Sequence, residues 1–217
     1  MAQTSFPSPR ATATGRPLRL VRVAGAVSPS DREAVRDSAA LLGLKLFLGS
    51  EAVLFATLIV AYLALRTQAA VWPPPGQPRL PIEVTGLNTL VLLGSGYTVG
   101  LALRAARRGD RTVCRRWLVL TLGLGTTFLI VQGSEWMRLI GFGLRVSSGT
   151  YGGMFYSIIG VHALHVAVAV GVLTAVLWRD GSGRFTRARL VDVSAGHLYW
   201  SFVVGVWPLL YVLVYLW

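Results

Sequence analysis

Gly152–Trp178 reads GGMFYSIIGVHALHVAVAVGVLTAVLW, a run without a single Asp, Glu, Lys or Arg. A bilayer core about 30 Å thick is crossed by about 20 apolar residues of helix, because hydrocarbon offers peptide groups no water and a helix satisfies them internally. This stretch is long enough to cross with tilt. Four further segments pass the same test: Ala39–Leu65, interrupted only by Lys45 and Glu51; Val84–Leu103, uncharged; Trp117–Met137, with Glu135 near its end; and Val193–Trp217, uncharged. The sequence therefore predicts an all-α, polytopic membrane protein, a bundle of five transmembrane helices over 39–65, 84–103, 117–137, 152–178 and 193–217. Residues 39–217 form the bundle, and residues 1–38 a mobile basic tail.

Composition agrees. Of 217 residues, 53% are hydrophobic and 14% charged, against about a quarter charged in a soluble domain. The formal net charge of +12 would speak for nucleic acid only on a solvated face, and here the basic residues sit in clusters between apolar runs, so no nucleic-acid partner is expected. The tail is rich in Pro, Ser, Thr and Arg without an apolar core, unlike a cleavable signal. Cys114 is the only cysteine, which excludes an internal disulfide and a cysteine-based metal site. Arg in place of Lys, with Lys45 the one lysine, suggests a GC-rich bacterial gene.

The Arg distribution orients the bundle, since Lys and Arg near the membrane favour the cytoplasmic side. The tail carries Arg10, Arg16, Arg19, Arg22, Arg32 and Arg36; the second connection carries Arg104, Arg107, Arg108, Arg111, Arg115 and Arg116; the fourth carries Arg179, Arg184, Arg187 and Arg189. The opposite side has only Arg66, Arg79, Arg138 and Arg145. This predicts a cytoplasmic N-terminus and an external C-terminus, with Trp72, Trp136, Trp178 and Trp217 at the aromatic belts. The external stretch from Trp72 to Pro81 holds five prolines, which remove donors and fix φ, so it is a stiff strap or docking edge rather than helix.

Ionisable and polar groups within the spans are costly and so mark candidate sites. Glu51 follows Ser50 near the middle of the first span and shares a face with Phe47, Leu54 and Phe55. It must be neutral, paired, or turned to a polar or lipid-filled cleft. Lys45 lies nearer the edge and can snorkel. Gln132, Glu135 and Arg138 share one face of the third helix and can pair. Asn88 and Ser95, two turns apart, can hydrogen-bond neighbouring helices. His162 and His165 stand at i and i+3 on the fourth helix; a metal or haem there would lack further ligands beyond His197, so hydrogen-bonding core histidines are the reading preferred. Gly160, Ala163, Ala167, Gly171 and Ala175 form a small-residue stripe on the same helix that lets another backbone approach closely. No nucleophile, phosphate-binding or zinc motif is present, so no catalytic, cofactor-binding or metal residue is assigned. Five helices forbid an even twofold repeat, which counts against a secondary transporter, although a proton-linked carrier stays open as a different class.

These landmarks resemble a known family. From about Leu42 to Trp217 the chain is similar to subunit III of the haem-copper respiratory oxidases, the cytochrome c oxidase subunit III family. GLKLFLGSEAVL (Gly43–Leu54) resembles its Gly-x-x-x-Phe-x-x-Ser-Glu segment. Trp72–Gly76 with LNTLVLLGSG (Leu87–Gly96) resembles its Trp-Pro-Pro loop and Asn-Thr helix. TFLIVQGSEWMRLI (Thr127–Ile140) resembles its Gln-x-x-Glu stretch, and GVHALHV (Gly160–Val166) its His-x-x-His helix. Five helices match the short form, which lacks the first two helices of the seven-helix version. The last helix departs: where the family reads Tyr-Trp-His-Phe-x-Asp-x-x-Trp, this chain has Ser201 and Val204 in place of His and Asp.

The resemblance implies a non-catalytic accessory subunit in a bacterial cytoplasmic (inner) membrane. Such a subunit packs beside oxidase subunit I, with subunit II in the same complex. It binds phospholipid in a cleft and supports sustained turnover and proton uptake while the complex reduces oxygen to water and pumps protons. It carries no cofactor, the haem and copper lying in partner subunits. Glu51 becomes the family's intramembrane carboxylate, and Ser50, Asn88, Gln132, Glu135, His162 and His165 its structural or lipid-cleft polar residues. Two alternatives share the fold or the donor ambiguity: the subunit III-like protein of a nitric oxide reductase, and subunit III of a quinol oxidase.

Overall fold

The computed structural model describes residues 28–78, 80–179 and 187–217, without the side chains of Pro29 and Arg187. The described residues are helical and contain no strand. Five helices follow one another: α1 Pro29–Gln68, α2 Ile82–Arg107, α3 Arg111–Gly141, α4 Thr150–Trp178 and α5 Arg187–Tyr211, which runs into a π-helical turn, Val212–Leu216. Each of the five is long and apolar enough to cross a membrane. The chain is a multi-pass membrane protein.

Local chemistry sets the helix ends. Ser28 caps α1, its Oγ accepting from the Asp31 amide at 3.1 Å, with Pro29 in the first turn where a missing N–H costs nothing. The helix thus begins ten residues before Ala39 and includes Arg32 and Arg36 of the expected tail; residues 1–27, with the other tail arginines, lie outside the described residues. Arg79 and Arg184 lie outside them too. Between α2 and α3 the chain reverses at Gly109, whose φ of 75° suits a residue without Cβ, and Asp110 caps α3 by accepting from the Val113 amide at 3.0 Å. Pro208 lies inside α5, close before the π-helical turn; its ring removes one backbone bond, a loss that helices in a bundle tolerate when neighbours cover the freed carbonyl.

α2 lies along α3, α5 fills the space between α2 and α4, and α3 packs on α4. Interhelical hydrogen bonds run the length of this four-helix core. Thr98 and Thr121 hydroxyls meet at 2.8 Å, Asn88 Nδ2 donates to the Phe128 carbonyl at 3.1 Å, Trp200 Nε1 donates to Ser95 Oγ at 3.0 Å and Trp207 Nε1 to Thr89 Oγ1 at 2.9 Å. The expected role of Asn88 and Ser95 in joining helices matches these contacts. Gly125 sits directly beneath the six-membered ring of Trp200, so a Cβ there would run into the indole. Trp200 and Trp207, both buried, are the bulk around which α2, α3 and α5 close.

α1 stands at the edge and touches α5 and α4. Its buried residues are Leu48, Phe55 and Tyr62, spaced by seven, which is the narrow seam of a helix meeting its neighbours along one line. Leu46 is 69% exposed and Val53 66%, as befits a surface solvated by acyl chains. Trp72 of the strap packs edge-on against Tyr62 and Tyr151, with ring centroids 5.7 and 5.0 Å apart, and so ties the strap to α1 and α4.

Of the small-residue stripe of α4, Gly160 faces Trp136 of α3, 3.9 Å from where its Cβ would stand, and Ala163 is half-buried, whereas the rest of the stripe turns outward. Ala167, Gly171 and Ala175 are exposed, and nothing lies within 4 Å of a Cβ built on Gly171. The packing face of α4 is carried by Phe155, Ile158, Ile159, His162, Val166, Ala169 and Leu173. Large side chains fill the gaps between these helices, and small ones on the opposite side need no partner.

Candidate functional site at the seam of the first and fourth helices

Glu51 of α1 and His165 of α4 meet at 2.8 Å between Oε2 and Nε2. The other ring nitrogen, Nδ1, lies 2.7 Å from the Val161 carbonyl one turn back. A carbonyl only accepts, so Nδ1 carries a proton and donates to it. The 2.8 Å contact between Nε2 and Oε2 then needs a second proton on one of the two atoms, so Glu51 is hydrogen-bonded to His165 either as carboxylate to imidazolium or as carboxylic acid to imidazole. The site is partly open: the Glu51 side chain keeps 16% of its surface and His165 12%. Phe55, one turn beyond Glu51, wedges between His165, His162 and Phe202, with centroids 5.2, 6.2 and 6.3 Å away. Phe47 and Tyr199 stack at 6.5 Å on the other side of Glu51. The carboxylate thus sits in an aromatic rim where α1 meets α4 and α5.

His162, expected to hydrogen-bond in the core, does not do so with the described residues. It is 1% exposed, stacks on Trp207 at 4.9 Å and lies edge-on to Phe128 at 6.4 Å, and neither ring nitrogen has a partner. His162 and His165 therefore do different things from adjacent turns: one packs against aromatic rings, the other holds the carboxylate. His197 on α5 is half-buried and has no ring contact with either. Among the described residues no group of three or more His, Cys, Asp or Glu could hold a metal ion.

The remaining candidates divide. Ser50 is exposed and turns its hydroxyl to the Phe47 carbonyl of its own helix at 2.6 Å, so it does not join Glu51. Glu135 pairs with Arg138 at 2.9 Å, as their spacing foretold. Gln132 leaves that pair alone and donates through Nε2 to the Tyr215 hydroxyl at 3.1 Å. Asn88 and Gln132 each keep an unpartnered carbonyl oxygen in the buried core. The structure thus brings together Glu51 and His165 and keeps Ser50, Asn88, Gln132 and Glu135 elsewhere.

A family model described as cytochrome c oxidase subunit III matches residues 18–217. The chain belongs to the cytochrome c oxidase subunit III family. Relatives of this subunit III include the cytochrome c oxidase subunit 3 of Synechocystis, 33% identical over 81% of the chain and 75% of the relative. The probable cytochrome c oxidase subunit 3 of Mycobacterium tuberculosis is 35% identical over 83% and 89%. That of Lemur catta is 36% identical over 81% and 65%. This subunit III is accordingly a component of a multi-subunit oxidase of the respiratory chain. Val204, one of the departures in the last helix, is buried against Gly96 of α2, where an added Cβ would come within 3.0 Å of its side chain.

Sequence reasoning did not pair Glu51 with His165, although a signal was present. Leu65 and Gly152 end their predicted spans on the same side, and the two residues stand at nearly equal distances from them. Equal depth is what an ion pair between neighbouring helices requires. Trp200 and Trp207, whose indole N–H groups need acceptors when buried, were likewise legible as partners for the hydroxyls of α2.

Proposed function

We propose that this chain is a non-catalytic, lipid-binding subunit III of a bacterial proton-pumping cytochrome c oxidase in the cytoplasmic (inner) membrane. It packs beside subunit I with subunit II in the same complex, the N-terminus is cytoplasmic, and haem and copper belong to the partners. Phospholipid held along α1 beside Glu51 supports sustained turnover and proton uptake. Ser50, Asn88, Gln132, Glu135, His162 and His165 serve structure or the lipid cleft, not catalysis.

One observation supports this reading above the others. The Glu51–His165 pair is partly open on a helix whose outward residues Leu46, Val53 and Leu54 are exposed and apolar. A carboxyl and an imidazole at that edge can be reached by a proton at mid-membrane depth, while the apolar flank takes acyl chains. The relatives named as cytochrome c oxidase subunits favour cytochrome c over quinol as donor.

The test is co-purification of the complex followed by optical spectra, subunit masses and phospholipid analysis. A haem- and copper-bearing core that consumes oxygen with cytochrome c is the expected result. A haem and non-haem iron reductase, or a quinol-oxidising core, would overturn the assignment. In the assembled complex, Glu51→Gln should lower retained phospholipid and shorten active lifetime while leaving the initial rate within about twofold. Immediate and complete loss of oxygen reduction would refute the accessory role.

A further inference from the structure

We propose that a cavity beside Arg66, at the end of the bundle away from the α2–α3 turn, binds the phosphate of an anionic phospholipid. This site is separate from the Glu51 seam. The cavity measures about 320 Å³ and is lined by Arg66, Trp72, Leu80, Tyr151, Tyr215 and Trp217 among others. It is built where α1 ends, the strap crosses, α4 begins and the π-helical turn closes α5.

The argument starts from an uncompensated charge. Arg66 lies in the last turn of α1 and is half-buried. Its Nη1 donates to the Tyr62 hydroxyl at 3.3 Å, and its guanidinium stands 4.8 Å from the centroid of the Trp217 ring. Both partners are neutral, and no carboxylate among the described residues pairs with it. The sequence explains why: no Asp or Glu occurs between Glu51 and Glu83, between Glu135 and Asp180, or after Asp192. The end of α1, the strap, the start of α4 and the π-helical turn therefore bring a cation and no acidic side chain, and Glu83, next to the lining residue Ile82 at the start of α2, is exposed and not paired with Arg66.

The surroundings supply the missing charge. A cation at the end of a spanning helix lies at headgroup depth, where tryptophan and tyrosine also concentrate. A guanidinium presents a planar fork of N–H donors that matches phosphate oxygens, and one N–H used on Tyr62 leaves others free. The aromatic walls keep water from the pair and strengthen it. A single cation in an aromatic cavity suits one phosphodiester with its glycerol. A peptide would bring amide groups that this lining leaves unpaired.

The experiment uses the intact, detergent-solubilised oxidase complex after mild delipidation. It is titrated with short-chain phosphatidylglycerol, short-chain phosphatidylcholine or inorganic phosphate, following the thermal transition and the lipid retained in native mass spectra. Phosphatidylglycerol should stabilise the complex saturably, phosphatidylcholine less, and inorganic phosphate not at all. Arg66→Gln should weaken the phosphatidylglycerol response about tenfold, with Arg66→Lys in between, on the scale of removing one charge-assisted hydrogen bond. Equal binding by wild type and Arg66→Gln would overturn the proposal. So would an equal response to inorganic phosphate, which marks a free-anion site, or release of a companion subunit from Arg66→Gln, which marks a protein carboxylate as the partner. Should Arg66→Gln fail to assemble, the wild-type titrations decide, since equal responses to the two lipids exclude an anion-selective site. In a Glu51→Gln background, which lowers the phospholipid retained along α1, phosphatidylglycerol should still stabilise the complex saturably and Arg66→Gln should still weaken that response, so this site and the α1 cleft fail independently.

Discussion

Helices α2 to α5 and helix α1 are held by different means. The four-helix core is laced by side-chain hydrogen bonds between α2 and α3 and between α2 and α5, and it closes around two buried tryptophans. α1 meets the rest along a narrow seam, three buried residues spaced by seven flanked by half-buried ones such as Leu58 and Ile59, with two aromatic contacts from Phe47 and Arg66 and one carboxyl–imidazole pair. In a bilayer the hydrophobic effect does not press helices together, so close packing and polar contacts must. The core has both in quantity. α1 has less of both, and the ionisable pair belongs to this weakly held helix, where both of its side chains keep part of their surface open.

Breaking that contrast begins in the core, where the largest effect is expected. Gly125→Leu would drive a side chain into the Trp200 ring, and overpacking costs about 1 to 3 kcal/mol or more when the neighbour cannot move. The expected outcome is loss of the subunit from the purified complex, read by immunoblot and subunit mass. Trp207→Phe keeps most of the ring but removes the bond to Thr89. About 1 kcal/mol of destabilisation should appear as a lower midpoint in thermal unfolding of the complex. At the seam, His165→Phe leaves Glu51 without its partner. The fold should persist, with a coupling of about 0.6 kcal/mol between His165 and Glu51 in a double-mutant cycle and faster inactivation during turnover. Leu46→Ala, on the exposed flank of α1, should change stability by less than about 0.5 kcal/mol. A large loss of stability from Leu46→Ala would mean that another chain covers that face, and would erase the contrast drawn above.

Much of the fold was legible because hydrocarbon imposes a length. Apart from the terminal Trp217, every predicted span lies inside an observed helix or its π-helical extension. The errors were at the ends, where caps act: Ser28 and Pro29 start α1 well before its apolar stretch. The site was half legible. Glu51, His165, Glu135 and Arg138 stand out because charge in a membrane is rare, and the spacing of the last two named them as a pair. The unpartnered nitrogens of His162 were not legible, because the rings of Trp207 and Phe128 come from other helices. The outward turn of Ser50 depends on helix rotation, which a nearly all-apolar helix leaves undetermined in its pattern.

The position of α1 bears on how the chain is made. Its seam is completed by Glu51 with α4 and by Phe47 and Phe55 with α5, elements that leave the ribosome last. Helix α1 must therefore wait in lipid while α2 and α3 are synthesised and join each other. Its 40 residues give it the length to survive that interval, and its arrival on α4 and α5 closes assembly rather than starting it.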